Sequence, residues 1–459
     1  MVNKHLLTVA ALPIVLAACA PALRPIPQGV SVSAPSEWRT HISNAGRIDE
    51  LWWLSFGDPM LAQLVEEART HNPDISLAAA RVAEARATEQ VSRSLLQPSI
   101  GVGVEAVARR EVSPFGRAQE SLAVLPAFRV SYEVDVFGKN RARVDAAEAN
   151  VAASKAAEES ARLSVTAASA SGYVTLLALD ARLAVLKQTL QSRAEALKFA
   201  RDRAEVGYTS QLELRQAQAE YEATAQQIPQ VETQIARQEN AVAVLTGILP
   251  ATITRGGDLA GLAQPATPLI LPSDLLRRRP DVAAAEYRMA AADAQMRSAR
   301  AQFMPSINLG ASAGVALSDL LSNPVSIWSI GGSVLAPIFQ GGRLQGQFDV
   351  ATAQRDQAAW AYRATALNAF REVEDRMIGL KKLDEQQVSL FGQQAAVSEV
   401  VRHTRNRYRA GYISYIEQLD AERALLSIEL ALVQLRADRL NMLISLYQAV
   451  GGSPAANAD

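Results

Sequence analysis

The sequence contains two copies of one long pattern, and this internal duplication constrains the fold more than any other feature. The matching segments are Asn72-Pro73-Asp74 with Arg279-Pro280-Asp281, Gln97-Pro98-Ser99-Ile100 with Met304-Pro305-Ser306-Ile307, and Gly207-Tyr208 with Gly411-Tyr412. The first two pairs are offset by 280 − 73 = 207 positions and the third by 411 − 207 = 204. A repeat this long indicates duplication of a whole structural unit.

Each half has the same predicted order of elements. A helix opens with Pro73 or Pro280 followed by Asp, which suits the unpaired N–H groups of a first turn. Two strands, a very long helix, a glycine turn and a returning helix follow. The long helix of the first half covers residues 140–206, roughly 100 Å at 1.5 Å per residue. Pro229 lies within the returning helix and is expected to kink it.

The repeats, together with the N-terminal features described next, divide the chain into six segments. The predicted segments are a signal peptide at 1–18, a lipidated N-terminal tether at 19–55, a first structural repeat at 56–250, a linker at 251–272, a second structural repeat at 273–452 and a C-terminal tail at 453–459.

The N-terminus predicts secretion and lipid attachment. The apolar run at residues 6–18 is shorter than the ~20 residues of a spanning helix, which favours a cleaved signal. Small residues precede Cys19, the only cysteine, and resemble the bacterial lipobox. Acyl chains on Cys19 would hold the mature N-terminus to a bilayer. In lipoproteins of this kind, a residue other than Asp after the cysteine, here Ala20, favours location in the outer membrane. The alternative is an ordinary signal peptide with an incidental cysteine.

Four segments alternate between apolar and polar residues, as membrane strands do. The clearest are 128–136 and 307–315, residues 100–108 repeat the pattern, and residues 328–336 follow it less cleanly. A soluble, half-buried sheet would show the same alternation. After Ser36 no run approaches 18 consecutive apolar residues, so a membrane span would have to consist of strands. Four strands cannot close a barrel alone, whereas three chains would supply 4 × 3 = 12.

The helices carry a second periodicity, the heptad of a coiled coil. From Tyr412, steps of four and three residues reach apolar side chains as far as Tyr447, and only Arg423 interrupts this seam. The long helix of the first half repeats the pattern from Leu176 to Ala204, with Arg193 in the seam. Two helical hairpins that turn at Gly207 and Gly411 are therefore expected.

Several other kinds of site are not supported by the sequence. The 46 Lys and Arg residues nearly balance 47 Asp and Glu, so no basic face for nucleic acid is expected. Gly138-Lys139 and Gly341-Gly342-Arg343 lack the spacing of a phosphate-binding loop and predict strand-to-helix turns. The four histidines are scattered, and no nucleophile and base are paired, so no metal, catalytic site or cofactor besides the lipid on Cys19 is expected.

The chain resembles the TolC-like outer-membrane factor family, in the lipoprotein branch that serves resistance-nodulation-division (RND) efflux systems. The motifs that carry this resemblance are LPSDLLRRRPDV at 271–282, FQGGR at 339–343, WW at 52–53, FGDP at 56–59 and YRAG at 408–411. The resemblance implies a mainly α fold with a membrane β-barrel contribution, assembled as a homotrimer with an α-helical barrel through the periplasm. It further implies a periplasmic adaptor protein, an inner-membrane RND pump and passive exit of drugs or other small amphiphiles across the Gram-negative outer membrane.

The resemblance also assigns a gate to the motif at 415–423. By analogy, Ile416 and Asp420 would narrow the resting pore at the periplasmic end, and Arg423 would help to hold the helices together. The alternative is a solvated Asp420 that pairs with Arg423 on its own helix. The expected adaptor-docking positions at the two turns are Gly207, Tyr208, Ser210, Gly411, Tyr412 and Ser414. Structurally, the glycines permit the positive φ that ends a helix.

Two other functions fit parts of the sequence. A type I protein-secretion duct would have the same architecture, although that branch often lacks the lipobox. A non-conducting coiled-coil lipoprotein or periplasmic adaptor would explain the heptads and the anchor. It would not explain four alternating strands placed symmetrically in two halves.

Overall fold

The structure is a computed structural model that describes residues 21–22, 24–40, 45–46, 51–112, 114–268, 270–319 and 321–452. Cys19, the signal peptide and the C-terminal tail lie outside these described residues. The described chain is mostly helical with one four-stranded sheet, which confirms the predicted fold class.

Helices make up most of both repeats. After a short 3-10 helix at Trp52–Phe56, the helices are α1 (Pro59–His71), α2 (Pro73–Ser94), α3 (Lys139–Glu205), α4 (Gln211–Ala225), α5 (Gln227–Leu245), α6 (Pro272–Arg278), α7 (Pro280–Ala301), α8 (Arg343–Arg409) and α9 (Tyr415–Ala449). The long helices α3 and α8 each contain 67 residues. Both follow glycines with positive φ, Gly138 and Gly342, as the strand-to-helix interpretation predicts.

The four long strands overlap the predicted regions and are longer, although those predicted at 128–136 and 328–336 end at Val134 and Leu335. The described strands are β1 (Ala45–Gly46), β2 (Ser99–Val112), β3 (Ala118–Val134), β4 (Thr267–Pro268), β5 (Ser306–Ser318) and β6 (Val325–Leu335). The short strands β1 and β4 pair in parallel, and the other four form an antiparallel sheet in the order β2-β3-β5-β6. Strands β2 and β6 are therefore the two edges of this sheet.

The register of the sheet puts most of the large apolar residues of the four strands on one face. Val102 lies opposite Phe128, Phe128 opposite Ala313, and Ala313 opposite Trp328. Successive strand residues point to opposite faces, so the other face carries the alternating polar and small residues. Polar contacts there include Arg129 to Glu105 at 2.9 Å, Ser99 to Ser131 at 2.7 Å and Ser312 to Ser329 at 2.8 Å.

Pro126 interrupts the pairing of two interior strands. It lies in β3 and has no N–H for the ladder, and the pairing of β3 with β5 skips from Val124 to Ala127. Gly314 on β5 lies against this gap, where an added Cβ would be 2.2 Å from the Pro126 carbonyl oxygen. Position 314, which pairs with Ala127, therefore requires a glycine because its backbone approaches the Pro126 carbonyl so closely.

The described residues group into two compact units. The first comprises Ala80–Ala156, Ala283–Thr365 and the N-terminal segment as far as Val32, and it contains the four-stranded sheet. The second comprises Ser33–Ala79, Ala157–Val282 and the chain from Ala366 onward.

In the first unit, arginines hold the proline-rich N-terminal segment, which is part of the predicted tether. Arg300 donates to the Pro21 carbonyl at 2.8 Å, Arg355 to the Pro25 carbonyl at 3.0 Å and Arg363 to the Ser31 carbonyl at 2.9 Å. Because their carbonyls are bound in this way, residues 21–22 and 24–31 lie along helices α7 and α8. We call this segment the strap.

In the second unit, the aromatic residues after the strap form a buried core. The Trp52 ring stacks on Tyr447 with centroids 5.0 Å apart and an interplanar angle of 7°. Asp58 caps α1 by accepting from the Met60 N–H at 2.7 Å, and it also accepts from the Tyr173 hydroxyl at 3.1 Å. Burial is the main cause that raises the Tyr173 pKa to about 12.

The duplication recurs in the packing of the second unit. The Asn72 amide donates to the Leu245 carbonyl at 2.9 Å, and Arg279, at the matching position of the second repeat, donates to the Ala449 carbonyl at 2.9 Å. Each contact joins the residue before the helix-opening proline to the end of the returning helix.

A pair of glycines completes the same junction in each repeat. A Cβ on Gly247 would lie 2.4 Å from the His71 carbonyl oxygen, and one on Gly451 would lie 2.8 Å from that of Arg278. The two glycines thus permit an equivalent close approach of backbones.

The returning helix of the first repeat is broken close to Pro229, as predicted. Helix α4 ends at Ala225 and α5 begins at Gln227. A proline ring clashes with the carbonyl four residues earlier, here that of Ala225, which explains a break N-terminal to the proline itself.

One described helix could cross a membrane by length and composition alone. Helix α3 contains an 18-residue stretch that is sufficiently apolar, and 44% of that stretch is buried inside the chain. A core helix has the same composition, so this stretch is weak evidence for a span.

Candidate functional site

The two helical turns of the second unit share one local geometry. Gly207 and Gly411 have φ of 74° and 80°, a region that glycine enters without a steric penalty. The N–H of Tyr208 bonds to the Arg203 carbonyl at 2.8 Å, and that of Tyr412 bonds to the Arg407 carbonyl at 2.9 Å. Both long helices therefore end in the same Schellman-type cap.

A serine starts the next helix after each turn. Ser210 accepts from the Glu213 N–H at 3.3 Å at the start of α4. At the start of α9, the Glu417 carboxylate accepts from the Ser414 N–H at 3.3 Å and from its hydroxyl at 3.2 Å. These caps bind the orphan N–H groups of the first turn and fix both turns.

The turn tyrosines project into solvent. Tyr208 is 79% exposed and Tyr412 is 77% exposed. The predicted docking residues thus include one accessible aromatic ring at each turn.

A small core lies beneath the turns and joins the two hairpins. It consists of Ala200, Ala217, Tyr408, Tyr415 and Leu419. The rings of Tyr408 and Tyr415 have centroids 5.6 Å apart, and the Tyr408 hydroxyl bonds to the Glu213 carboxylate. Burial is the main cause that raises the pKa of Tyr408 above its ordinary value, and the hydrogen bond to Glu213 raises it further. This hydroxyl is therefore a stable donor at neutral pH.

A buried charge cluster adjoins this core. The Arg193 side chain is only 2% exposed, and its Nη1 lies 2.8 Å from Oε2 of Glu422. The other oxygen of Glu422 accepts from Gln418 at 2.8 Å and from Arg405 at 3.3 Å. Arg193 also lies 4.0 Å from Glu220. This cluster links α3, α4, α8 and α9 close to both turns.

The predicted gate residues lie beside this cluster on the exposed side of α9. Ile416 is 41% exposed, and the Asp420 side chain is 68% exposed. Arg423 lies 3.6 Å from Asp420 on the same helix, as in the simpler interpretation, and it also binds Glu220 on α4. The Glu220 hydrogen bond is the main cause that raises the pKa of Arg423. Arg423 therefore connects the exposed Asp420 to the neighbouring hairpin.

Arg193, Glu220 and Glu422 are not among the site residues predicted from the sequence. The signal was present, because Arg193 and Arg423 are the charged residues in the two apolar seams. A charge at a core-facing seam position requires a buried partner, but the sequence does not say which carboxylate supplies it.

No metal centre is found in the part of the chain that the structure describes. No group of three or more His, Cys, Asp or Glu side chains there could hold a metal ion.

Comparison with known proteins assigns the fold to a family. The profile of the family described as "Outer membrane efflux protein" matches residues 64–248 and 271–452. The toluene efflux pump outer membrane protein TtgF of Pseudomonas putida is 33% identical over 427 residues, covering 90% of this chain and 88% of that protein. The pyoverdine export outer membrane protein OpmQ of the same species is 30% identical over 452 residues, covering 95% of each.

Solved structures agree with these sequence matches. The outer-membrane channel OprN superposes with a TM-score of 0.85 and 27% identity, covering 95% of this chain and 99% of that chain. The open state of the Neisseria gonorrhoeae MtrE outer membrane channel gives a TM-score of 0.79 and 26% identity, covering 94% and 98%. The chain therefore belongs to the outer membrane efflux protein family, and it is an efflux channel protein of the Gram-negative outer membrane.

Proposed function

We propose that three copies of this chain pool their sheets into one twelve-stranded barrel that serves as a passive exit duct. The observation that supports this proposal most strongly is the four-stranded sheet, whose edge strands β2 and β6 have no further strand partner among the described residues. Unpaired backbone groups in lipid cost several kcal/mol each, so a membrane sheet must close. Pairing β2 of one chain with β6 of the next would close it.

The exposed apolar face supports a lipid-facing orientation. Ile100 is 73% exposed on β2, and Trp328 and Ile330 are 77% and 79% exposed on β6. The opposite face, with its serines, glycines and the Arg129–Glu105 pair, would line the lumen. Apolar outside and polar inside is the pattern of an outer-membrane barrel.

The N-terminus would add a lipid anchor. Acylation of Cys19 would tether the chain next to residue 21, whose carbonyl Arg300 already binds. An anchored strap of this kind would hold the first unit to the membrane. Replacing Cys19 with Ser should abolish labelling by radioactive palmitate.

The helical turns would meet the rest of the pump. Capped turns with exposed Tyr208 and Tyr412 suit docking of a periplasmic adaptor protein, through which an inner-membrane RND pump would deliver cargo. Ile416 and Asp420 would form the periplasmic constriction, with Arg423 holding adjacent helices. The duct itself would carry out no chemical reaction.

The names of relatives support a conduit whose cargo is set elsewhere. Chains of similar sequence are named for export of pyoverdine and for efflux of toluene. Export of drugs or other small toxic compounds is therefore the proposed activity here, in preference to protein secretion. Deletion of the gene should increase susceptibility to such compounds.

A pair of neighbouring substitutions on β6 tests the barrel. Ile330→Asp puts a charge on the proposed lipid face and should destabilise the inserted barrel by about 2 kcal/mol. The yield of trimers, and of pores in planar bilayers, should therefore fall. Gly331→Asp is the matched control, because it puts the same charge on the proposed lumen face, where an added Cβ would have nothing within 4 Å. Equal yields from both variants, or a monomeric wild-type protein without conductance, would refute the barrel.

A further inference from the structure

We propose that a groove where the sheet meets the long helices binds anionic amphiphiles during their passage, an inference that rests on the proposed duct. Two adjoining cavities of about 540 and 490 Å³ in the first unit share Arg143, Gln302 and Arg343. Together they form one elongated groove bordered by the first turns of α3 and α8 and by the end of α7.

The two ends of the groove differ in chemistry. Near the strands it is lined by exposed apolar side chains, of which Phe137 is 38%, Ile338 91% and Phe339 87% exposed. Towards the helices the lining is polar and rich in amides. The amide-bearing residues there are Gln295, Gln302, Gln347 and Gln354. An occupant with one apolar and one polar part matches this arrangement.

The shared middle of the groove carries positive charge that the chain does not neutralise. Arg143 forms no ion pair or hydrogen bond within the described residues, and Arg343 donates only to the amide oxygens of Gln340 at 3.0 Å and Gln347 at 3.2 Å. Lys139 differs, because Glu133 holds it at 2.5 Å. An anionic head group would therefore meet two available guanidinium groups, which suit carboxylate, sulfate and phosphate oxygens.

The acidic side chains of the groove lining are both engaged. Asp135 accepts from the N–H groups of Asn140 at 3.0 Å and Arg141 at 2.8 Å in the first turn of α3, and Glu133 pairs with Lys139. Arg143 and Arg343 are therefore the charged side chains of the described lining that have no ionic partner.

The groove faces away from the strap. Its residues on α8, from Arg343 through Gln347 and Val350 to Gln354, recur in steps of four and three and so share one helix face. The strap contacts Asp349, Arg355 and Arg363, which the helical repeat of 100° per residue centres on the opposite face. In the proposed duct the strap would lead to the lipid anchor, so the groove, on the opposite helix face, would open towards the lumen.

The register of the sheet gives the same orientation. Glu133, Ser306 and Leu335 line the groove, and the pairing puts all three on the polar face of the sheet. In a trimer, three such grooves would form a ring of six arginines, two from each chain. Anions with an apolar tail would bind there transiently, since the sites are open to the duct.

Block of single-channel current in planar bilayers tests this inference. Decyl sulfate added to wild-type pores should reduce conductance in a saturable manner, whereas decyltrimethylammonium, with the same tail and the opposite charge, should not. Arg143→Gln/Arg343→Gln should raise the half-blocking concentration of decyl sulfate about tenfold, the order expected when two partly exposed charges leave an anion site. Arg143→Lys/Arg343→Lys should restore most of the block.

Arg109→Gln is the matched control. It removes one arginine on the same sheet face as the groove lining but towards the other end of β2, where the described ion-pair partner is Glu111 at 4.0 Å. This variant should retain wild-type block. The proposed groove is refuted if decyl sulfate leaves conducting wild-type pores unaffected, or if it blocks the double glutamine variant as strongly as wild type. Neither outcome refutes the proposed duct. Wild-type protein without pores would instead refute the duct.

Discussion

Removing the buried Arg193 guanidinium should loosen the helices beneath the two turns. Arg193→Met keeps an unbranched side chain of similar length but leaves Glu422, whose side chain is 11% exposed, without its nearest cation. Glu220, at 14% exposure, loses a second, more distant charge. Two carboxylates would then be held in poorly solvated positions with fewer partners.

The expected magnitude follows from what remains of the cluster. Breaking a buried ion pair by removing one partner costs about 3–5 kcal/mol. Glu422 keeps contacts with Arg405 at 3.3 Å and Gln418 at 2.8 Å, which puts this variant at the lower end, about 3 kcal/mol. Replacing both partners, as in Arg193→Met/Glu422→Leu, removes the stranded charge and should recover most of that loss.

Native-state hydrogen exchange measured by mass spectrometry checks this directly. Amides of α3 and α9 beneath the turns should exchange on the order of a hundredfold faster in Arg193→Met, because 1.4 kcal/mol corresponds to a factor of ten. Glu399→Gln, in an exposed pair with Arg402, is the control and should leave exchange unchanged. Wild-type exchange in Arg193→Met, or a double variant less stable than the single one, would refute the reasoning.

Three further outcomes are expected. Asp420→Ala should raise the conductance of the closed channel in a lipid bilayer, and an unchanged conductance would remove Asp420 from the gate. Gly314→Ala should destabilise the folded protein by about 1–3 kcal/mol, because its Cβ would lie 2.2 Å from the Pro126 carbonyl oxygen. The matched control Gly331→Ala should have little effect, since nothing lies within 4 Å of its Cβ. Thermal dissociation of the assembled protein would measure both. Burial raises the pKa of Glu429 above 4.5, so the folded chain binds this proton more tightly than the unfolded chain and stability falls as pH rises through that region. Glu429→Gln should therefore raise the melting temperature at about pH 8 and leave it unchanged well below pH 4.5, and an equal shift at both pH values would contradict this assignment.

Local features of the fold were predictable because they depend on neighbours in the sequence. The alternation around Phe128 predicts a strand with one apolar face, and the glycines at 207 and 411 predict turns with positive φ, since backbone sterics act over a few residues. The offset repeats likewise predict two equivalent sets of elements, which the matching contacts of Asn72 and Arg279 reproduce in three dimensions.

The close approaches of helices were not predictable in the same way. Gly172 and Gly379, at matching positions of the two repeats, lie where an added Cβ would meet Val242 at 3.1 Å and Met442 at 2.8 Å. A single glycine within a helical pattern gives no indication of which side chain packs against it. Only the path of the returning helices determines that contact.

By itself, the sequence determined the duplicated order of elements, the alternation of apolar and polar residues along the strands, and the two turns, because these properties are visible in residue patterns along the chain. The tertiary structure alone decided that the four long strands pair in the order β2-β3-β5-β6 and that Arg193 finds Glu422, 422 − 193 = 229 positions away. These pairings depend on the free energy of the whole fold, which must bury apolar surface and pair its buried charges together. A local residue pattern contains no information about that total.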